Sequence, residues 1–320
     1  MKNYNKKTIL ITGGAGFIGC HLVNQLDKDK YNIVILDRLV NNIELKQNRL
    51  NKFLNPADYI FYNTELDNVK KIKKIFYGHK PDIVCHLAAQ TNLGIDSKLY
   101  NETNTMSTVG IFELAREFNV PKIVFASSSM VYGDSARIPF TETDSTDHPL
   151  SVYAATKKSD EVLAYTYHHL YGIKMIGLRF FTTYGPWGRP DMAISKFTEQ
   201  IYRGEPITIH NHGKIRKDFS YITDTVSGII SAIETNLNFE IINLGSGTST
   251  EIQKVIELIE NNLEKTAKKE YIDMHFGDLP ETRANIEKAK KLLNYKPKIN
   301  IEEGIKRYID WYKKYIIIIK

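Results

Sequence analysis

Short apolar runs rich in β-branched residues alternate in this chain with segments whose apolar residues recur at helical spacing. The runs cover residues 8–12, 32–37, 82–89, 122–128 and 174–180, and a helical pattern follows each of the first four, directly or after a loop. Strands whose faces are both covered by helices have continuous apolar sequences. The alternation therefore predicts an α/β fold with a doubly wound parallel sheet.

The pattern changes after about residue 180. Residues 185–193 are dense in Gly and Pro, which is a loop signal, and we predict helices near 194–203, 251–262, 286–293 and 301–315. A length of 320 residues is sufficient for two domains. We expect a first domain over 1–179, to which the chain returns near 218–246, and a smaller mixed α/β lobe over most of 180–320.

Charge and cysteine content narrow the kinds of partner. The chain has 43 Lys and Arg against 37 Asp and Glu, a net charge of +6, but its lysines are scattered without the interleaved aromatic residues of a single-strand binder. We therefore expect no nucleic-acid partner. Cys20 and Cys85 stand far apart in apolar stretches, which favours buried thiols in a reducing compartment over a zinc site or a disulfide.

The terminal segments bear on location. The first residues lead directly into an apolar run and lack the apolar core of a signal peptide, and the sequence has no apolar stretch of roughly 18 residues. The four isoleucines at 316–319 are too few to span a bilayer, and we expect them to pack on the body or on a partner subunit. We predict a cytoplasmic protein without a membrane partner.

A glycine-rich segment joins the first predicted strand to a helix that begins at Phe17 and Ile18. Its glycines, Gly13, Gly16 and Gly19, follow a GxxGxxG spacing, and a strand before and a helix after are the context of a dinucleotide-binding Rossmann turn. Asp37 ends the second predicted strand, where a carboxylate accepts the ribose hydroxyls and repels a 2′-phosphate. This favours NAD, although the adjacent Arg38 leaves NADP open.

A second group of chemically active residues is Tyr153 and Lys157. Their spacing is about one helical turn, so both side chains lie on one face of a helix. An ammonium close to a phenol lowers the phenol's pKa from about 10, and bringing it near 7 takes roughly 4 kcal/mol of differential stabilisation. Such a phenol is a general base at neutral pH. Ser127, Ser128 and Ser129 end another predicted strand, at the sheet edge where ligands bind in such folds.

These motifs together resemble the extended short-chain dehydrogenase/reductase family of NAD-dependent nucleotide-sugar epimerases and dehydratases. The resemblance rests, in chain order, on TGGAGFIG at 12–19, Asp37, HLAA at 86–89, Asn104, SSSMVYG at 127–133, YAATK at 153–157 and LRFF at 178–181. It implies that Tyr153 is the catalytic base, that Lys157 modulates it and binds the nicotinamide ribose, and that Ser128 bridges Tyr153 and the substrate oxygen.

The resemblance also implies the cofactor and the assembly. Asn104 corresponds to the asparagine that supports the site, Glu65-Leu66 stand where the family has Asp-Ile near the adenine, and the helices near Asn104 and Tyr153 resemble those of a family dimer interface. We therefore expect NAD and a homodimer. The implied cofactor-binding residues are Gly13, Gly16, Phe17, Ile18, Gly19, Asp37, Arg38, Glu65, Leu66, Leu87, Ala88, Ala89, Gln90, Asn104, Tyr153 and Lys157.

Two segments narrow the reaction and the substrate. Dehydratases and decarboxylases of the family carry an acidic residue where this chain has Met130, and methionine transfers no proton, which leaves epimerisation through a 4-keto intermediate. Residues 179–193, followed by GKIRKDFSYITD and GDLPET, resemble the UDP-glucuronate 4-epimerases. The implied contacts are Thr182 and Arg189 to the sugar, Lys217 and Arg283 to the diphosphate, His210 to uracil, and Ser127, Ser128 and Ser129 to the substrate.

Three departures from that subfamily keep alternatives open. Gly94 replaces an arginine, Lys217 stands where an arginine precedes Asp-Phe, and TYAD becomes residues 282–285, TRAN. We therefore expect a 4-epimerase of UDP-glucuronate, with a neutral UDP-sugar or a heptose nucleotide as the alternative substrate. A non-catalytic NAD-binding sensor is the alternative from another class. No HExxH or GxSxG motif occurs, so we expect neither a metal nor a Ser-His-Asp hydrolase.

Overall fold

The computed structural model describes residues 6–40, 42–91, 96–134, 137–273 and 279–319, with side chains described to residue 315. The chain divides into two compact units. The first contains Met1–Gly133, Thr146–Arg179 and Val226–Ile242, and the second contains Asp134–Ser145, Phe180–Thr225 and Asn243–Lys320.

The first unit is built on one sheet with helices between successive strands. Its strands are β1 (Lys7–Thr12), β2 (Tyr31–Asp37), β3 (Tyr59–Asn63), β4 (Ile83–His86), β5 (Lys122–Ser128), β6 (Lys174–Phe180) and β11 (Phe239–Leu244). Its helices are α1 (Phe17–Gln25), α2 (Ile43–Asn48), α3 (Val69–His79), α4 (Ser97–Tyr100), α5 (Ser107–Glu117), α6 (Val152–Tyr171) and α8 (Ile222–Glu234), with π-helical segments at Arg49–Phe53 and Asn101–Met106 and 3₁₀ turns at Pro56–Asp58 and Ser129–Tyr132.

The sheet has seven strands in the order β11-β6-β5-β4-β1-β2-β3. β1 pairs in parallel with both β2 and β4, so the strand order reverses beside β1. In doubly wound sheets this reversal opens a crevice at the carboxyl ends of the strands, where ligands bind. The structure confirms the predicted fold class.

The core of the first unit follows from apolar strands covered by amphipathic helices. Leu10, Val34 and Val84 are buried in neighbouring strands, and Phe76 of α3 and Phe112 of α5 pack into the same cluster. The ends of α6 have clear causes. Ser151 caps its N-terminus by accepting a hydrogen bond from the Ala154 amide, and Gly172 ends it in a left-handed conformation at φ +69°.

The second unit combines short strand pairs with helices. Its strands are β7 (Thr182–Tyr184) beside β10 (Phe219–Tyr221), β9 (Arg216–Lys217) beside β12 (Thr250–Glu251), and β8 (Pro206–His210) beside β13 (Lys268–Ile272). Its helices are α7 (Ala193–Arg203), α9 (Ile252–Leu263), α10 (Glu287–Leu293) and α11 (Ile301–Ile319), with a 3₁₀ turn at Asn211–Gly213.

The helices of the second unit bury one apolar stripe each. Phe197 of α7, Ile256 of α9 and Tyr308 of α11 are nearly inaccessible to solvent. A Cβ on Gly304 would lie 1.8 Å from the Tyr184 hydroxyl, so α11 approaches that ring too closely for any other residue there. Within the described residues, none of the helices has the length and apolar character needed to cross a membrane.

Candidate active site

The glycine-rich turn between β1 and α1 has no room for a side chain at Gly13 or Gly19. A Cβ on Gly13 would lie 2.8 Å from the Ala88 amide nitrogen, and one on Gly19 would lie 2.2 Å from the Gly13 carbonyl oxygen. Gly13 also has φ +73°, which other residues rarely adopt. A bare backbone turn at a helix N-terminus fits a pyrophosphate, so these residues fit a dinucleotide.

Asp37 stands beside this turn and is buried. Its Oδ2 accepts a hydrogen bond from the Ala15 amide at 2.9 Å, and its Oδ1 lies 2.8 Å from the Nζ of Lys46 on α2. The Lys46 ammonium also donates to the Arg38 carbonyl at 2.7 Å. The carboxylate is therefore held at the end of β2 in the place predicted for the ribose ligand, with a cation that the sequence analysis did not identify.

Residues expected near the adenine are on neighbouring segments. The Arg38 guanidinium lies 3.7 Å from the Glu65 carboxylate and 3.5 Å from the Gln90 side-chain oxygen. Leu66 is half-buried against the core. Arg38 thus faces two acceptors.

The segment after β4 is fixed to the glycine turn and to α6. The Leu87 amide donates to the Thr12 carbonyl and the Ala88 amide to the Thr12 hydroxyl. Asn104, which is fully buried, accepts from the Gln90 amide at 2.7 Å and donates to the Gln90 carbonyl and the Thr156 hydroxyl, both at 3.1 Å. Ala89 lies between these anchors. Asn104 therefore joins the loop after β4 to the helix that carries Tyr153.

Tyr153 and Ser128 belong to elements that meet at the carboxyl edge of the sheet. Tyr153 lies in the first turn of α6, half-buried, with its ring 6.3 Å from that of Tyr100. Ser128 is the last residue of β5, and its hydroxyl accepts from the Met130 amide at 3.2 Å, which caps the 3₁₀ turn that follows. Ser129 begins that turn.

Lys157 is buried and paired. Its Nζ donates to Asp160 Oδ2 at 3.0 Å, and both side chains are 1% exposed. Burial lowers the pKa of Lys157, but the charges of Asp160, Tyr153 and Glu161 and the hydrogen bond to Asp160 together outweigh it, so that the pKa is raised overall. Burial raises the pKa of Asp160, against the lowering effect of Lys157 and the Thr108 hydroxyl.

His86 lies behind this pair. Its ring nitrogens lie 2.7 Å from the Thr12 hydroxyl and 2.9 Å from the Thr108 hydroxyl. Burial, together with the positive charge of Lys157, lowers the pKa of His86 to about 3. The imidazole is therefore neutral at physiological pH.

A second buried ion pair lies next to Ser128. Glu161 of α6 receives two hydrogen bonds from Arg179 of β6, both at 2.8 Å, and the Ser127 hydroxyl donates to the same carboxylate at 2.5 Å. The Arg179 guanidinium also lies over the Tyr132 ring, 4.7 Å from its centre. Since the Ser127 hydroxyl is buried in this network, its predicted contact with substrate stays a prediction.

In the second unit, one expected sugar-binding residue lies in β7 and the other follows it. Thr182 begins this strand, and its amide donates to the Asp218 carbonyl at 3.0 Å. Arg189, in the loop after β7, forms a bidentate pair with Asp191, whose carboxylate accepts from Nε at 3.0 Å and from Nη2. The Arg189 hydrogen bond and charge lower the pKa of Asp191 against the effect of burial. The guanidinium therefore already binds a carboxylate in the way predicted for a uronate.

The segments that carry Lys217 and Arg283 are joined through Asp218. This buried carboxylate accepts from the amides of Ser246, Gly247 and Ala284, which places the residues next to Asp218 and Ala284 side by side. The Lys217 ammonium donates to the Leu279 carbonyl at 2.9 Å. The Arg283 Nε is buried and makes no hydrogen bond within the described part of the chain, which suits an anionic ligand. His210 ends β8, which pairs with β13 and not with the strand of Lys217.

Some residues of the site were absent from the sequence analysis. Lys46 and Arg49 have an i,i+3 spacing, and the Arg49 guanidinium donates to the Ala15 carbonyl at 3.2 Å. Asp160 could have been found from its spacing, because it is the seventh residue after Tyr153 and lies on the same helical face. Gly94 lies outside the described residues. Among the residues that the structure does describe, no group of three or more His, Cys, Asp or Glu could hold a metal ion.

Comparison with known proteins agrees with this geometry. Residues 9–245 match the model of the NAD dependent epimerase/dehydratase family. A UDP-glucuronate 4-epimerase of Thermodesulfobacterium geofontis is 42% identical over 317 residues, which are 97% of this chain and 98% of that protein.

Two solved structures are similar over nearly the whole chain. The UDP-glucuronic acid 4-epimerase of Bacillus cereus, in complex with UDP-glucuronic acid and NAD, superposes with a TM-score of 0.89 at 33% identity and covers 96% of this chain and 99% of its own. The UDP-glucose 4-epimerase of Thermotoga maritima, with UDP-glucose, gives a TM-score of 0.89 at 29% identity over 97% and 99%. The chain therefore belongs to the NAD-dependent epimerase/dehydratase family.

Proposed function

We propose that this protein is an NAD-dependent UDP-sugar 4-epimerase that interconverts UDP-glucuronate and UDP-galacturonate. The observation that carries the proposal is the face of α6 that presents half-buried Tyr153 one turn before buried, charged Lys157, at the sheet edge where Ser128 ends β5. The Thermodesulfobacterium and Bacillus proteins support the choice of sugar.

In this proposal, Tyr153 moves the proton of the C4 hydroxyl. NAD, when bound, supplies a reversible acceptor for the C4 hydride. Tyr153 as phenolate takes the hydroxyl proton and later returns it. Between the two steps the 4-keto sugar rotates in the site, so that hydrogen returns to the opposite face of C4. Lys157 stabilises the phenolate through its positive charge, and the Ser128 hydroxyl orients the substrate oxygen.

The cofactor is held, in the same proposal, by the turn at Gly13, Gly16 and Gly19 and by Asp37. The amides at Phe17 and Ile18 begin the helix whose N-terminus favours the pyrophosphate. Arg38, Glu65 and Leu66 surround the adenosine, and residues 87–90 with Asn104 form the floor of the site. This assignment is supported by the short distances around Gly13 and Gly19, which leave no space for a Cβ atom.

For the sugar we assign Arg189 to the carboxylate. A guanidinium binds a carboxylate through two parallel hydrogen bonds, and Asp191 demonstrates that geometry in this loop. The substrate carboxylate would displace Asp191 or share the guanidinium with it. Oxidation at C4 of a uronate gives a β-keto acid, which loses CO₂ when the bond to its carboxylate is aligned with the ketone. Binding of the carboxylate by Arg189 would hold it out of that alignment and protect the intermediate.

For the nucleotide we assign Lys217 and Arg283 to the diphosphate and His210 to the uracil. Two observations support this: Asp218 joins the segments that carry the first two residues, and the buried Arg283 Nε suits an anion. Thr182 and the serines at 127–129 complete the proposed substrate contacts.

A neutral UDP-sugar is the second candidate. The Thermotoga structure contains UDP-glucose, and the Arg189 fork is already neutralised by Asp191. The two candidates are separated by incubating the purified protein with UDP-glucuronate, UDP-glucose and UDP-N-acetylglucosamine, without added cofactor, and identifying products by NMR. We expect UDP-galacturonate from the first. Arg189→Gln should reduce kcat/KM for the uronate far more than for a neutral sugar, and an equal reduction would remove Arg189 from the carboxylate.

We also propose a homodimer in the cytoplasm. Large apolar side chains are exposed on adjoining helical segments, with Met106 63%, Val162 55% and Tyr165 56% exposed, and such side chains together favour an interface. Burial raises the pKa of the Cys20 thiol to about 12, and Cys85 is equally inaccessible, which suits a reduced protein. Sedimentation analysis of wild type and Val162→Glu tests the interface, since the variant should be monomeric.

A further inference from the structure

Asp160 is the charged group closest to Lys157. No step of the proposed reaction uses it. Its carboxylate is 1% exposed and lies 3.0 Å from the Lys157 ammonium. Tyr153, Lys157 and Asp160 are spaced i, i+4 and i+7, so they form one row along the buried face of α6. The carboxylate is thus part of the row that contains the base.

We propose that Asp160 is a positioning residue that holds the Lys157 ammonium in place and offsets part of its charge, so that the Tyr153 base ionises at a higher pH than a lysine alone would allow. This rests on the proposed function, in which Tyr153 is the base.

The charges around the row support this assignment. Lys157 is the cation that faces Tyr153, and the anions are Asp160 and, further along α6, Glu161. Glu161 is already bound by Arg179 through two hydrogen bonds, so its charge is largely compensated. From β4, His86 is neutral because burial lowers its pKa to about 3, and from α5 the facing group is the uncharged Thr108.

The charge count gives the direction of the effect. With Asp160 present, Lys157 and Asp160 sum to zero, and ionisation of Tyr153 creates a net negative charge in a buried site. Without the carboxylate, the Tyr153 phenolate still favours the charged form of Lys157, and the same ionisation creates a neutral phenolate–ammonium pair. Burying a net charge is costly, whereas an opposite charge nearby favours the ionised form. Removal of the Asp160 charge should therefore move ionisation of Tyr153 to lower pH.

The test compares Asp160→Asn, which keeps the shape of the side chain, with wild type and Asp160→Glu in the NAD-loaded enzyme. The acidic limb of the pH profile of kcat/KM reports the base of the free enzyme. We expect this limb to move down by about one pH unit in Asp160→Asn and to stay near the wild-type position in Asp160→Glu. Glu102→Gln removes an exposed carboxylate, 57% accessible, and is the matched control.

A second readout does not depend on turnover. Tyrosinate absorbance is titrated in each protein, and the same titration with Tyr153→Phe added is subtracted, which isolates the Tyr153 phenolate. A downward shift in Asp160→Asn, repeated in Asp160→Ser, supports the proposal even for a protein that turns over none of the tested sugars. An unchanged titration, or a shift to higher pH, overturns it, while absence of turnover in wild type would count against the proposed function alone.

Discussion

At the level of single residues, the first unit has two buried ion pairs beside the proposed catalytic residues. Lys157 with Asp160 and Glu161 with Arg179 are two ion pairs on or beside α6, and all four side chains are at most 5% exposed. Buried pairs cost desolvation energy and add little net stability, so their presence beside Tyr153 and Ser128 has to be explained by position or chemistry. In the proposed reaction the first pair adjusts the charge at the base, and the second accepts the Ser127 hydroxyl, one residue before Ser128.

Replacement of Tyr153 by phenylalanine tests the base. The proposed reaction has no other group to take the C4 hydroxyl proton, and general-base catalysis contributes roughly 10²–10⁴-fold. We expect kcat to fall by about that factor while bound NAD and the melting temperature stay close to wild type. Turnover and cofactor absorbance are measured on the same preparation, and unchanged turnover would contradict the catalytic role.

His86 gives a prediction about stability and pH. Its pKa is 6.5 in the unfolded chain and about 3 in the folded one, so below pH 6.5 the unfolded state binds a proton that the folded state does not. Stability from this residue is therefore complete above that pH and declines as pH falls, by up to about 1.4 kcal/mol per pH unit. Urea unfolding of wild type and His86→Gln at several acidic pH values gives the free energy of unfolding at each pH. This free energy should decrease less steeply with falling pH in the variant.

At the scale of elements, the glycine-rich turn, the parallel strands and the long helices could be predicted from sequence. Their signals are local: helix α7, predicted near 194–203, occupies Ala193–Arg203. Strands of two or three residues, such as β9 and β10, are too short to show a period and arise from pairing. Ion pairs such as Lys46 with Asp37 join residues of different elements, and no spacing rule shows which lysine of a basic chain will approach a given carboxylate.

The close packing of the turn after β1 predicts that alanine is harmful at Gly19 but tolerated at Gly78. In Gly19→Ala the new Cβ would lie 2.2 Å from the Gly13 carbonyl, a backbone atom that cannot move without displacing the turn. We expect loss of NAD from the purified variant and a lower melting temperature. Gly78→Ala in α3 is the control, since its Cβ meets nothing within 4 Å and alanine favours a helix by about 0.5–1 kcal/mol.

The Glu161–Arg179 pair joins α6 to β6, and its loss should be severe. In Glu161→Gln the Arg179 guanidinium, 4% exposed, keeps its charge without a carboxylate, which costs about 3–5 kcal/mol. The denaturation midpoint should fall accordingly. Glu303→Gln breaks an exposed i,i+4 pair with Arg307 on α11 and should move the midpoint far less. Equal effects of the two substitutions would contradict the assigned importance of the buried pair.

At the level of the complete chain, the proposed function assigns four cations to ligands and leaves the rest of the +6 net charge to the solvated surface. The four cations with predicted ligand contacts are Lys157, Arg189, Lys217 and Arg283. Asp160 pairs with the first and Asp191 with the second, while Asp218 joins the segments that carry the last two. These carboxylates could not be assigned from sequence, because each assignment depends on how loops and strand ends fold back on one another.

The fate of the hydrogen at C4 decides whether the proposed hydride removal and return takes place. UDP-glucuronate deuterated at C4 is incubated in ordinary water with the purified protein, and the product is analysed by NMR and mass spectrometry. Removal and return of a hydride predict UDP-galacturonate that keeps its deuterium at C4. Loss of deuterium to solvent, a product inverted at C5 or C2, or release of CO₂ would contradict the account.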